Sequence, residues 1–187
     1  MPGMDDPPVI RLPDPCLVVL VGPAGSGKST FAARHFAPHE VLSSDACRER
    51  IGGDAADQRT TRPAFAALHA ALRRRLAARR LTVVDATSVT HRARSALLRD
   101  ANAAGIPAVA IVLDLPADLV RARNAGRPRV VPEDAVRAQL AHLERSQDGA
   151  GLRGEGFSAV IRLRVPGAVE AVRVERVASA EPWRADG

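Results

Sequence analysis

The chain has 187 residues, 46% of them hydrophobic and 26% charged, with a formal net charge of +6. That length fits one ordinary globular domain, able to bury about 70% of its unfolded surface, and leaves no room for a second catalytic domain. Only 3% of residues are aromatic, none is tyrosine, and the cysteines number two, which argues against an RNA-recognition surface of stacking rings, a cysteine-built zinc site and a disulfide framework.

Two cysteines, Cys16 and Cys47, are most naturally kept reduced in a cytoplasm. The first residues do not pair a basic segment with an apolar core, and no apolar run approaches 18 residues, so neither secretion nor membrane spanning is expected. Charge is uneven. Residues 1–60 carry 6 basic and 8 acidic groups, 61–130 carry 13 and 4, and 131–187 carry 8 and 9. A basic middle third attracts polyanions, ATP or a nucleic acid backbone, or is simply an arginine-rich solvated face.

Residues 1–15 hold five of the fourteen prolines, which predicts an extended, partly loose leader ending at the first strand. Residues 16–21 are an apolar run between Pro15 and Gly22 and read as a buried strand. Next comes Gly22-Pro23-Ala24-Gly25-Ser26-Gly27-Lys28-Ser29, and residues 30–37 then read as a short helix.

Glycine, four free positions and Gly-Lys-Ser form the P-loop pattern, in which backbone N–H groups wrap two phosphates of a nucleoside triphosphate. Lys28 is the only lysine beside 26 arginines. A compact ammonium fits a narrow phosphate cradle where a planar guanidinium bonds as a wider, fixed fork. The other reading is a glycine-rich turn with a chance lysine; the order strand, loop, helix decides for phosphate binding. The candidate phosphate contacts are Gly22, Gly25, Ser26, Gly27, Lys28, Ser29 and Thr30. The Ser29 hydroxyl would ligate the Mg²⁺ that bridges the β- and γ-phosphates, and the helix N-terminus adds its positive dipole end.

Residues 41–43 read as the second strand, followed by Ser43-Ser44-Asp45-Ala46-Cys47-Arg48 at the carboxyl end, where open sheets bind ligands. Asp45 and Arg48 share one helix face, so a carboxylate can take a proton from an attacking hydroxyl while a guanidinium holds a neighbouring phosphate. The same spacing also suits a cap at Ser44 or Asp45 with a surface ion pair.

A helix is predicted over 62–79, with Phe65, Leu68, Leu72 and Leu76 as its apolar stripe. The run Arg73-Arg74-Arg75 with Arg79 and Arg80 resembles a nucleic-acid patch, but surrounding that stripe it reads mostly as the solvent side of a core helix. Residues 81–85 read as a third strand ending in Asp85, which can hold a water on Mg²⁺ or orient an arginine; Asp85 or Thr87 can equally cap the next helix. That helix is placed at 92–104 on Ala93, Ala96, Leu97 and Ala101. Residues 108–115 are the fourth strand.

Arg121, Arg123, Arg127 and Arg129 come next, with Gly126 and Pro128 ending a helix in a mobile segment. This could be a lid whose arginines close over the γ-phosphate, or a basic helix end complementing its dipole. A helix over 132–146, a loop at 149–156 and strands at 159–165 and 171–177 complete the pattern. The five histidines show no metal spacing. Alternating strands and helices specify a largely parallel α/β sheet.

In this order the motifs resemble the 5′-hydroxyl polynucleotide kinase family, most of all the kinase module of bacterial polynucleotide kinase-phosphatase RNA-repair proteins. The resemblance spans about 16–177 and rests on 22–30, Phe31, His35-Phe36, 41–45 with Cys47-Arg48, Asp57-Gln58, 83–87, and Arg123-Asn124 with Arg127. It implies a P-loop kinase sheet of strand order 2-3-1-4-5 with helices on both faces and a helical lid at about 121–146. The domain would then run over 16–178, with a tail at 179–187.

It also implies that Lys28, Asp45, Arg48, Arg123 and Arg127 are catalytic: Asp45 as general base, Arg48 on the acceptor phosphate, Arg123 and Arg127 on the donor phosphates. Mg²⁺ would be held by Ser29 and Asp85, and ATP and a 5′-OH single-stranded end of RNA or DNA would be the substrates. Such proteins often assemble as homo-oligomers. Ser88 stands where the family commonly has asparagine, 52–57 is less acidic than usual, and no phosphatase or ligase module follows. These departures touch the acceptor side, so a small-molecule alcohol acceptor and a non-catalytic ATP-binding module remain as alternatives.

Overall fold

The computed structural model describes residues 8–51, 58–146 and 151–178, and over 58–61 the backbone alone. The first seven leader residues, the 52–57 stretch with Asp57, the start of the 149–156 loop and the 179–187 tail lie outside the described residues.

Strand β1 (Val9–Asp14) is followed by β2 (Leu17–Val21) and α1 (Lys28–His35), then β3 (Val41–Ser43) and α2 (Ser44–Arg50). Next come α3 (Gln58–Ala77), β4 (Thr82–Asp85), α4 (His91–Ala103) and β5 (Ala108–Leu113). The chain continues through α5 (Ala117–Ala125), α6 (Glu133–Arg145), the short α7 (Gly151–Gly154), β6 (Ala159–Leu163), α8 (Pro166–Ala171) and β7 (Arg173–Ala178).

Five strands form one parallel sheet in the order β3-β4-β2-β5-β6. Numbered among themselves along the chain, these five run 2-3-1-4-5. Strands β2 and β5 are buried at every residue, as unbroken apolar runs must be when helices cover both faces of a sheet. Successive side chains go to opposite sides. Leu17, Val19 and Val21 join the core under α3 and α4. Val18 and Leu20 join the core formed with Phe31, Ala32 and Phe36.

The leader differs from expectation. Val9–Asp14 is a strand paired in parallel with β7, from Val9 opposite Arg173 to Asp14 opposite Ala178. Ile10 and Leu12 alternate inward, 5% and 0% exposed, a two-residue period that the surrounding prolines obscure. Pro13 is tolerated because the second sheet has only two strands, so every strand in it is an edge. Glu40 fastens this sheet to the body by a paired hydrogen bond with Arg176, both contacts 2.8 Å.

Helix α8 was also not foreseen. The expected strand at 159–165 ends at Leu163, and Pro166 opens a six-residue helix, since proline suits a first helical position. Part of the expected 149–156 loop is the short α7.

On α3 the buried stripe is Ala64, Leu68, Leu72 and Leu76, with Phe65 36% exposed. Arg73, Arg74, Arg79 and Arg80 lie outside, as expected, whereas Arg75 is half-buried and donates to Thr82 Oγ1 at 3.0 Å and to the Leu81 carbonyl at 2.9 Å. On α4 the buried face is Arg94, Leu97, Leu98 and Ala101. Arg94, 1% exposed, donates to Glu155 through Nε at 2.7 Å and Nη2 at 2.5 Å, to Ser146 Oγ at 3.0 Å and to the Ser88 carbonyl at 3.0 Å. With all these partners a buried guanidinium becomes tolerable.

Candidate active site

Residues 22–27 bridge the end of β2 and the start of α1. Gly25 and Gly27 have φ of 87° and 93°, a left-handed backbone that glycine adopts without a Cβ penalty. A Cβ on Gly25 would also lie 2.4 Å from the Val120 carbonyl oxygen of α5. The loop is fixed from two further sides: Gly22 N–H donates to the Thr87 carbonyl at 3.2 Å, and Ala24 N–H to Gln139 Oε1 of α6 at 2.8 Å.

Lys28 occupies the first turn of α1 and is 8% exposed. Its Nζ donates to the Pro23 carbonyl at 2.8 Å and lies 3.5 Å from Ser26 Oγ. Burial pushes its pKa down from 10.5 to about 8; Arg127 pushes the same way, against the pull of Asp85 and Asp45. Ser29 and Thr30 follow on the exposed side of the turn.

Asp85 ends β4, 8% exposed. Beside it, α2 is capped by Ser43, whose Oγ accepts from Ala46 N–H at 3.3 Å. The cap is therefore neither Ser44 nor Asp45, and the Asp45 carboxylate is left to pair with Arg48. Likewise α4 is capped by Thr90, at 3.3 Å from Ala93 N–H, and not by Asp85 or Thr87. Both carboxylates are thus free of capping duty.

Ser88 has φ of 46° and is 6% exposed. The cavity wall here is Ala86 and Thr87, and Ser88 does not line it. Asparagine is the side chain that best tolerates a left-handed backbone, so the departure at Ser88 concerns chain conformation and not acceptor contact. Ser88→Val is expected to lower stability by roughly 1–3 kcal/mol, because a β-branched residue at positive φ is strained. Ser88→Asn is expected to match the wild type; denaturant titration of both variants checks the pair.

On the facing wall Arg123 lies in the last turn of α5, and a Cβ on Gly27 would sit 3.7 Å from its Nη1. Helix α5 ends at Ala125, so Arg127 falls beyond it and does not share a helical turn with Arg123. Arg121 turns away to Glu133, at 3.0 Å, and Asp118.

One cavity of about 490 Å³ is lined by Lys28, Ser29, Thr30, Asp45, Arg48, Asp85, Arg123 and Arg127 together. Gly25 and Gly27 also line it, whereas Gly22 and Ser26 shape the loop from behind. Arg34, Gln139 and the α8 residues Pro166, Val169 and Glu170 line it as well. Nothing in their local sequence marks these five, which reach the cavity only through tertiary folding. Arg34 Nη1 donates to the Glu170 carbonyl at 3.0 Å, holding α8 against α1.

The phosphate loop and all five strands of the main sheet but β6 fall within a stretch, residues 17–148, matched by a family model described as AAA domain. The chain belongs to that family. No curated protein matches this AAA-domain chain, but solved structures do. A chain of the Pnkp1/Rnl/Hen1 RNA repair complex has a TM-score of 0.64 and 23% identity over 73% of this chain and 46% of its own. A sugar kinase from Janibacter sp. HTCC2649 has a TM-score of 0.57 and 23% identity over 83% and 91%. Kti12 of Chaetomium thermophilum, in complex with ADP-AlF3, has 0.58 and 20% over 82% and 93%. This AAA-domain chain therefore spans under half of the repair-complex chain and most of the other two. Its α/β architecture is that of P-loop kinases. Among the described residues no helix is long and apolar enough to cross a membrane.

Proposed function

We propose that the protein transfers the γ-phosphoryl group of ATP to the 5′-hydroxyl end of a polynucleotide, RNA or DNA, in the cytoplasm. The observation that carries this reading is that Asp45 and Arg48 share one cavity with Lys28, Arg123 and Arg127, so a proton acceptor and an anion-binding fork lie across from a donor-phosphate cradle.

On the donor side, the glycines present backbone N–H groups and Lys28 a buried ammonium. A buried ammonium in low-dielectric surroundings interacts strongly with phosphate charge. Arg123, above Gly27, and Arg127 add the positive charge that the transferring group needs in its transition state. The site also fits Mg²⁺. A hydroxyl, Ser29, and a carboxylate, Asp85, line the cavity, and such a sparse all-oxygen set suits a cation that takes its other ligands from water and substrate phosphates. Bound there, Mg²⁺ would neutralise charge developing on the phosphate oxygens.

On the acceptor side, Asp45 accepts the proton of the attacking hydroxyl. Its pairing with Arg48 orients the carboxylate and brings a guanidinium beside the hydroxyl. A polynucleotide end offers that guanidinium a phosphodiester, whereas a neutral sugar offers nothing of matching charge.

A second reading, phosphorylation of a small alcohol, is favoured by one observation: the Janibacter sugar kinase is covered over 91% of its length and the repair-complex chain over 46%. Labelled ATP with Mg²⁺ and a 5′-OH oligonucleotide separates the two. End labelling is the expected result; labelling of sugars or nucleosides and of no oligonucleotide would overturn the polynucleotide acceptor.

A further inference from the structure

Arg127 and Arg129 both line the cavity, yet both sit on the irregular stretch between α5 and α6. Long, charged side chains on such a stretch hold a transition-state geometry only if the backbone beneath them is fixed. The fixing contacts converge on Asn124.

Asn124 is 3% exposed. Its Nδ2 donates to the Val131 carbonyl at 2.8 Å, and its Oδ1 accepts from Val131 N–H at 3.1 Å. One carboxamide thus bonds both polar groups of a single residue, which sets the orientation of that backbone as well as its position. The Asn124 carbonyl in turn accepts from Arg127 N–H at 3.2 Å. The arginine stretch is therefore held at both of its ends by the same residue.

The other side of Asn124 faces the phosphate loop. A Cβ on Gly25 would lie 3.0 Å from Asn124 N and 3.2 Å from its Cβ, so the two backbones are in direct contact. Asn124 thereby touches the loop that would hold the donor phosphates and grips the stretch that carries two arginines toward them. The side-chain chemistry is demanding. Aspartate lacks the donor, leucine lacks both groups, and glutamine places them one methylene further out.

We infer that Asn124 is a positioning residue that keeps Arg127 and Arg129 in register with the phosphate loop. A residue that merely ties off α5 would stabilise the fold whether or not the arginines are present. A positioning residue matters to nucleotide only through them. The inference rests on the ATP-binding half of the proposed function and is indifferent to the acceptor.

A double-mutant cycle separates the two roles. Calorimetry gives the Kd for Mg·ATP of the wild type, Asn124→Ala, Arg127→Ala/Arg129→Ala and the triple variant. Asn124→Ala is expected to weaken binding by roughly tenfold in the wild type, the equivalent of about one to two hydrogen bonds. In the background without the arginines it is expected to change Kd less than about twofold. Where Asn124→Ala loses its cooperative thermal transition, Asn124→Asp, which keeps the acceptor and removes the donor, is read in the same two backgrounds. An unchanged Kd, or an equal loss with and without the arginines, overturns the inference. A wild type that fails to bind Mg·ATP overturns it together with the proposed function, while one that binds ATP but labels no 5′ end removes only the acceptor reading.

Discussion

Asp45→Asn is expected to slow phosphoryl transfer by roughly 10²- to 10⁴-fold, the usual contribution of a positioned general base, while leaving the Kd for Mg·ATP nearly unchanged. Asparagine keeps the shape of the side chain but cannot accept the proton as the new bond forms. It also releases Arg48, which is held by the Asp45 carboxylate. ATP affinity is expected to be spared because the proposed role of Asp45 is on the acceptor hydroxyl, and its attraction for Lys28 is weaker than that of Asp85. Initial rates with a saturating acceptor and calorimetry with Mg·ATP measure the two quantities. A loss of ATP binding equal to the loss of rate would move Asp45 to the donor site. Unchanged turnover would mean that Asp45 is not the general base.

The loop side of the cavity, from Ala24 to Thr30, was legible in the sequence because its parts are neighbours in the chain. Lys28 and Ser29 sit where the strand-loop-helix pattern requires, and Gly25 and Gly27 of the loop have left-handed backbone. Asp45 and Asp85 were legible for a weaker reason, their place at the carboxyl ends of apolar runs. What they do not do, cap helices, needed coordinates, because Ser43 and Thr90 compete for the same helix ends and win.

The remaining features depend on contacts across long stretches of chain. Gln139 reaches Ala24 from 115 residues away, and helix α8 contributes a wall from the short segment between two expected strands, to which no element was assigned. Arg94 had no place in the apolar stripe read for its helix, and its partners Glu155 and Ser146, 61 and 52 residues away, are what allow it inside. β1 was missed because prolines in the leader outweighed a short inward alternation.

Lys28→Met is expected to lower phosphoryl transfer by at least about 10²- to 10³-fold, as loss of one preorganised charge does, and at the same time to stabilise the nucleotide-free protein. The fall of the lysine pKa from 10.5 to about 8 corresponds to about 3 kcal/mol of unfavourable burial of the charged form. The sign follows from proton counts. Below pH 8 both folded and unfolded chains hold the proton, and the cost is fully present. Between pH 8 and 10.5 the unfolded chain still binds a proton that the folded chain has released, so the wild type gains stability as pH rises. Above 10.5 the cost is gone. The advantage of Lys28→Met over the wild type is therefore expected at pH 7 and should shrink toward pH 10, by denaturant titration at both. Phosphate charge favours the ammonium, so ATP binding near pH 9 should draw a proton into the wild type and none into the variant. Calorimetry in two buffers of different ionisation heat reads that proton. A variant no more stable than wild type at pH 7 would mean that the lysine is not buried charged, and that the phosphate cradle does not hold its ammonium ready for the nucleotide.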